Sequence, residues 1–184
     1  MTSVRTKSAI ANRYLQIRQQ LWPGAESSLW DRNANKGFAS IPKTMPIILK
    51  IVDEMTKNNP ASATYLSLWC STWDNAYVTL SKSRDLAHAS GFSGQRAEYV
   101  WGTRMKLLQE LKFIDIKPGK SGPMGHAIIW NPHWVIRWHY ENKTGTGMQE
   151  SSYTALVEWG LEMGCKDIGL EVPAPWQTST ESAA

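Results

Sequence analysis

The sequence predicts a mixed α+β fold, mostly helical, in which one core is flanked by an N-terminal and a C-terminal helix. Three observations predict it. Several segments repeat apolar residues at the helical spacing of three and four, and two short β-rich runs bracket a glycine-rich stretch. Of the 184 residues, 42% are hydrophobic and 20% charged, which supplies a core and excludes disorder of the whole chain. Cys70 and Cys165 are too few for a disulfide scaffold and are expected as reduced, buried thiols in helical segments.

In chain order, Ile10, Tyr14, Ile17 and Leu21 mark one face of a helix over 8–21, ended by Pro23 and Gly24. The polar stretch 26–40 reads as an irregular connection. Ile48, Leu49, Ile51, Val52 and Met55 predict a helix over 45–57 that stops at Asn58, Asn59 and Pro60. Tyr65, Leu66, Leu68, Trp69 and Trp73 predict another over 61–74, followed by a strand over 77–80. Ser81 is expected to N-cap a short helix over 82–90, with Leu86, Ala87 and Ala89 on its apolar side and Gly91 closing it.

A longer helix over 94–112 turns Ala97, Val100, Trp101, Leu107, Leu108 and Leu111 inward, with Met105 at their border. It turns Arg96, Tyr99, Thr103 and Lys106 outward. Gly102, unfavourable in mid-helix, is expected to mark close helix packing. Strands over 113–117 and 126–130 flank a flexible loop over 118–125. Asn131 and Pro132 form an N-cap and N1 pair that opens a helix to about Tyr140, with Trp134, Val135 and Trp138 on one side. A linker over 141–149 leads to a last helix over 150–163 with Tyr153, Leu156, Val157 and Leu161 inward, and the end LEVPAPWQTSTESAA has the composition of a disordered tail. The organisation is therefore a basic helix and connection over 1–40, a core over 41–141, and a linker, acidic helix and tail over 142–184.

The formal net charge of +4 is unevenly spread. Residues 1–50 hold eight Lys or Arg against two acids, 51–140 ten against seven, and 141–184 two against seven. A basic front points to a polyanion partner, and the acidic end to a protein partner. No stretch approaches the roughly 18 apolar residues of a membrane span and the first residues form no apolar leader, so the expectation is a cytoplasmic protein without membrane contact.

From residue 61 to 130 the order is helix, short strand, helix, tight turn, longer helix, strand, glycine-rich loop, strand. That is the order of a winged helix-turn-helix, in which a supporting helix holds a second helix for the DNA major groove and the hairpin, here 117–126, forms a wing. On that reading Arg96 meets a guanine edge and Gln95 an adenine edge, and Tyr99, Thr103 and Lys106 complete the face, Lys106 towards phosphate. Ser81, Lys82 and Arg84 approach the sugar-phosphate chain, and Lys117, Lys120 and Ser121 add backbone contacts from the hairpin. The run Leu107, Leu108, Gln109, Glu110, Leu111, Lys112, Phe113, Ile114 resembles the LxxLGFI passage of winged-helix proteins, with Lys112 in the usual glycine position. FASIPKTMPIILKIVDEMTKN, and the segment from Thr64 to Gly122, resemble winged-helix proteins encoded on bacterial plasmids and other mobile elements. The resemblance spans about residues 38–140 and implies a fold and a DNA-related role.

Catalytic chemistry finds little support. His133 and His139 lie six apart, and His88 and His126 have no ligand-spaced neighbour, so no metal site or cofactor is expected and each histidine is expected at the surface or half-buried. Gly119, Gly122 and Gly125 lack the Lys-Ser/Thr ending of a phosphate loop. Asp53, Glu54, Glu158 and Glu162 read as ordinary helix charges. Trp69, Trp73, Trp101, Trp134 and Trp138 are expected in packing, whereas Trp22, Trp30 and Trp176 suit a partner surface. The reading is a non-enzymatic, homodimeric regulator of transcription that binds double-stranded DNA. A replication or partition accessory protein and a winged-helix protein-interaction module are the alternatives.

Overall fold

The computed structural model describes residues 4–72, 75–120 and 122–168. Trp73, Ser121, Trp176 and the expected tail lie outside them. The architecture is mixed α+β: mostly helical, with a small three-stranded antiparallel sheet. The chain divides into two units, Met1–Phe38 and Ala39–Ala184.

The first unit holds α1 (Val4–Leu21) and a 3-10 turn at Glu26–Ser28. The apolar stripe read from the sequence is present, but Ile10, Tyr14, Ile17 and Leu21 are all exposed. Trp30 packs edge-on against Phe38, with the Arg32 guanidinium 5.0 Å above the Phe38 ring.

The second unit contains α2 (Met45–Thr56), α3 (Ser62–Ser71), β1 (Tyr77–Thr79), α4 (Ser83–Ala89) and α5 (Ala97–Glu110). It continues with β2 (Ile114–Gly119), β3 (Gly122–Ile129), α6 (Pro132–Glu141) and α7 (Glu150–Met163). Its core joins Ile48, Ile51 and Val52 of α2, Tyr65 and Leu68 of α3, Trp101, Met105 and Leu108 of α5, Val135 and Ile136 of α6, and Leu156 of α7. Tyr65 meets Phe113 edge-on at 5.4 Å. Met105, expected at the border, is fully buried. On α7 the inward side is Ser152, Leu156 and Gly160, and Leu161 is exposed, because Gly160 is where Ile168 packs back onto the helix.

The sheet order is β1-β3-β2, with Val78 opposite Ala127 and Ile116 also opposite Ala127 on the other edge. The expected flexible loop over 118–125 is instead mostly strand. The ladder runs out to Gly119 opposite Gly122, with an irregularity between Lys117 and Gly119. Glycine makes this possible: a Cβ on Gly125 would fall on the Gly119 backbone, so the two strands close where any side chain would hold them apart.

Helix starts are capped partly from a distance. Asn131 caps α6 as its sequence predicts, its side chain accepting from the His133 N–H at 2.9 Å. Ala61 and Gln149, at the starts of α3 and α7, make no side-chain cap, and two acids of α2 supply the acceptors. Asp53 accepts from the Ser62 N–H (2.9 Å) and hydroxyl (2.7 Å), and Glu54 from the Gln149 N–H (3.0 Å) and the Ser152 hydroxyl (2.7 Å). These carboxylates are tertiary caps rather than ordinary helix charges. Ser81 is not an N-cap: α4 starts one residue later, with Lys82 at the cap position and no side-chain cap bond.

Candidate nucleic-acid interface

The geometry of α4 and α5 is fixed by the turn between them. Gly91 enters the left-handed region at φ 85°; its N–H donates to the His88 carbonyl at 2.9 Å, and the Phe92 N–H donates to Ala87 at 3.0 Å. This pair of bonds is the Schellman closure, which satisfies the last carbonyls of α4 and reverses the chain. Gly94, at φ 79°, then passes into α5. The buried Ser90 hydroxyl bonds Ser67 at 2.8 Å and the Leu86 carbonyl at 2.7 Å, tying the turn to α3.

Burying Trp101, Met105 and Leu108 on one side of α5 leaves Arg96, Tyr99 and Lys106 exposed on the other, Tyr99 at 77%. Thr103 is half-buried and its hydroxyl donates to the Tyr99 carbonyl at 3.1 Å. Ser81, Tyr99, Thr103 and Lys106 share a recess of about 400 Å³ between α5 and the β2–β3 hairpin, floored by Leu80, Trp101 and Met124. Arg84 and Gln95 share a second recess of about 510 Å³ beside the turn, with Asp85 and His88. Lys82, Arg96, Lys117 and Lys120 lie outside both. Lys120 stands exposed at the hairpin end, whereas Lys117 pairs with Asp115 at 3.1 Å.

Gly102 is not a close-packing position. A Cβ there would meet only the Met124 Cε, at 3.8 Å, so the glycine leaves the recess floor open rather than admitting a neighbouring helix.

Two residues of this face escaped the sequence reading. Glu98 lines the first recess and accepts from the Ser83 hydroxyl at 2.8 Å; following only the 96, 99, 103, 106 row passes over it. Arg104 donates to the Pro60 carbonyl (3.0 Å) and to Asn59 Oδ1 (2.9 Å), pinning α5 to the α2–α3 turn. Its cation belongs to the scaffold.

The chain matches no family model, no curated protein and no solved structure.

A second polar cluster lies under α6, and it corrects the expectation for two histidines. His133 and His139 are buried, at 7% and 6% exposure. The His133 Nδ1–H donates to Asp167 at 2.8 Å, and its Nε2 bonds the Thr44 hydroxyl at 2.7 Å. Asn131 also donates to Asp167, at 2.7 Å. Burial pushes the Asp167 carboxyl up, but the hydrogen bonds from Asn131 and His133 and the His133 charge together hold it below the usual carboxylate range. The carboxylate, imidazole and hydroxyl follow the order of a hydrolase triad, yet Thr44 is fully buried and offers no oxygen to a substrate. The cluster fastens the segment after α7 to the starts of α6 and α2. His139 Nε2–H donates to the Leu111 carbonyl at 2.9 Å and its Nδ1 meets the Thr144 hydroxyl at 2.7 Å. Desolvation lowers the His139 pKa, partly opposed by the Leu111 bond.

The cysteines also differ from expectation: both are free thiols, but Cys70 is exposed and Cys165 half-buried, the latter beyond the end of α7. Among the described residues, no group of three or more His, Cys, Asp or Glu is placed to hold a metal ion, and no helix is long and apolar enough to cross a membrane.

Proposed function

We propose that the chain is a non-enzymatic DNA-binding protein of the winged helix-turn-helix type, a transcriptional regulator of a plasmid or other mobile element. One observation carries the reading: a glycine-closed turn delivers α5 with Arg96, Tyr99 and Lys106 exposed beside a closed β-hairpin that carries Lys120. Here α4 supports, α5 enters the major groove and the hairpin tracks the backbone. Arg96, at the start of α5, reads a guanine edge and Gln95 an adenine edge; Lys82, Arg84, Lys106 and Lys120 meet phosphate. Lys117 contributes less, because Asp115 lies 3.1 Å away and offsets part of its charge.

Fluorescence anisotropy on duplexes selected from a random pool tests this. Arg96→Ala weakens binding and relaxes preference at one or two base pairs, and Lys120→Ala weakens all sequences alike. Unchanged binding in both variants refutes the groove assignment. Glu98 favours the second reading, a protein-interaction module, since a carboxylate in the recess repels phosphate. Absence of duplex binding at low salt selects that reading.

A further inference from the structure

Glu98 is the acid in the first turn of α5; it is exposed, and it lines the recess with Tyr99 and Lys106 on the proposed DNA face. A fixed negative charge there repels every phosphate, so the position works against duplex binding unless the carboxylate meets a donor. Among the described residues, no Lys, Arg or His forms an ion pair with it. The position four residues on, where a lysine would pair with it along the helix, is Gly102. A Cβ at Gly102 would meet only the Met124 Cε, so the glycine leaves that row of α5 uncovered.

One contact orients the group. The Ser83 hydroxyl, at the start of α4, donates to Glu98 Oε2 at 2.8 Å. That bond restrains the carboxylate from the supporting helix and leaves Oε1 with no donor among the described residues. The first turn of the second helix is where a helix-turn-helix meets base edges. In the major groove the amino donors are cytosine N4 and adenine N6, and adenine sets its N7 acceptor beside that donor, where it repels a carboxylate. Cytosine is therefore the base edge that an ionised Oε1 fits.

We propose that Glu98 is a specificity-determining residue, accepting from N4 of one cytosine in the major groove and held for that contact by Ser83. This role rests on the DNA-binding reading above. It gives the charge two effects of opposite sign: affinity falls for every duplex and is recovered at one base pair. A carboxylate that served only the α5 dipole, or only the tie to α4, would change stability and leave base preference alone.

The full chain and three variants, Glu98→Ala, Glu98→Gln and Ser83→Ala, are each used to select duplexes from a random pool. Anisotropy at one fixed salt concentration then compares the selected site, the same site with each base pair replaced in turn, and an unrelated duplex. The unmodified chain is expected to prefer cytosine at one position by about 5- to 150-fold. Glu98→Ala is expected to lose that preference and to bind the unrelated duplex more tightly, because a repelling charge has gone. Glu98→Gln is expected to move the preference to adenine, whose N6 and N7 an amide pairs together. Ser83→Ala is expected to keep cytosine with a smaller ratio. Thermal unfolding of each variant shows that the fold is retained. Glu98→Ala that leaves every base preference unchanged, or that weakens all duplexes in equal proportion, overturns the assignment of Glu98 and leaves the DNA-binding reading standing. An unmodified chain that binds no duplex at low salt overturns both.

Discussion

Replacing Lys112 with glycine is expected to stabilise the protein. Helix α5 ends with the same closure as α4: the Lys112 N–H donates to Gln109 at 3.0 Å and the Phe113 N–H to Leu108 at 2.9 Å. The residue forced into the left-handed region, at φ 63°, is here a lysine, where α4 uses Gly91. An L-residue with a Cβ costs about 1–2 kcal/mol in that region. Glycine returns about 0.4–1 kcal/mol of this through the greater freedom of the unfolded chain, and losing a cation at a helix C-terminus forfeits a few tenths more. The net gain is about 0.5 kcal/mol, or roughly 1–2 °C in Tm for a domain of this size. Lys112→Asn, which tolerates the conformation but also removes the charge, should give part of the gain, and Lys112→Ala none. Gly91→Ala provides the opposite case: its added Cβ meets nothing within 4 Å, so its expected loss of about 1 kcal/mol is purely conformational. Thermal and urea unfolding followed by far-UV circular dichroism measure all four. If Lys112→Gly is neutral or destabilising while Gly91→Ala loses stability, left-handed strain at Lys112 is not a stability term and the reasoning fails.

Four further outcomes follow from the packing and from burial. Gly125→Ala is expected to lose about 1–3 kcal/mol, because the new Cβ meets the Gly119 backbone, which cannot rotate away. Gly102→Ala, with only the Met124 Cε near, should gain up to about 1 kcal/mol in the same unfolding assay. Glu54→Ala removes the acceptor for the start of α7 and is expected to cost about 1–2 kcal/mol, with faster hydrogen exchange at Gln149 and Ser152 than elsewhere. The folded His139 pKa lies below its usual 6.5, so the unfolded chain binds the extra proton first. The stability this contributes is whole above 6.5 and lost as pH falls towards the depressed folded value. Tm should fall from about pH 7.5 to about pH 5.5, and His139→Gln should flatten that slope.

The sequence made the helices legible wherever periodicity and local chemistry agreed. The Asn131-Pro132 start of α6, the 150–163 span of α7 and the Gly91 closure of α4 are all local signals, and each appears where its residues put it. What the sequence hid was non-local. Glu54 caps a helix 95 positions away, and His133 is buried because Asp167 and Thr44 arrive from other segments. The hairpin depends on non-local pairing in the same way. Glycines usually mark flexible loops, but Gly119 and Gly125 matter here for the side chains they lack, which only the paired strands reveal. Of the face on α5, the exposed row was visible as a 3.6-residue repeat. The pairing of Lys117 with Asp115 and the commitment of Arg104 to Asn59 and Pro60 were not.

Those pairings bear on how tightly one copy can hold a duplex. With Lys117 paired to Asp115, Arg104 committed to the scaffold and Arg96 assigned to a base, the proposed phosphate contacts reduce chiefly to Lys82, Arg84, Lys106 and Lys120. Four neutralised phosphates give a log-log salt slope of about −3.6, which is roughly a 150-fold loss of affinity between about 50 and 200 mM salt. Asp85 and Glu98, on the same surface, lower that further. On the proposed DNA-binding reading, a single copy is expected to bind weakly and with strong salt dependence, and specific occupancy to need two copies on adjoining half-sites. If the proposal holds, a duplex with two half-sites should show a slope of about −7 and one with a single half-site a slope of about −3.6. Equal slopes on the two duplexes would refute paired binding, because a second copy engaged on the longer site must neutralise further phosphates.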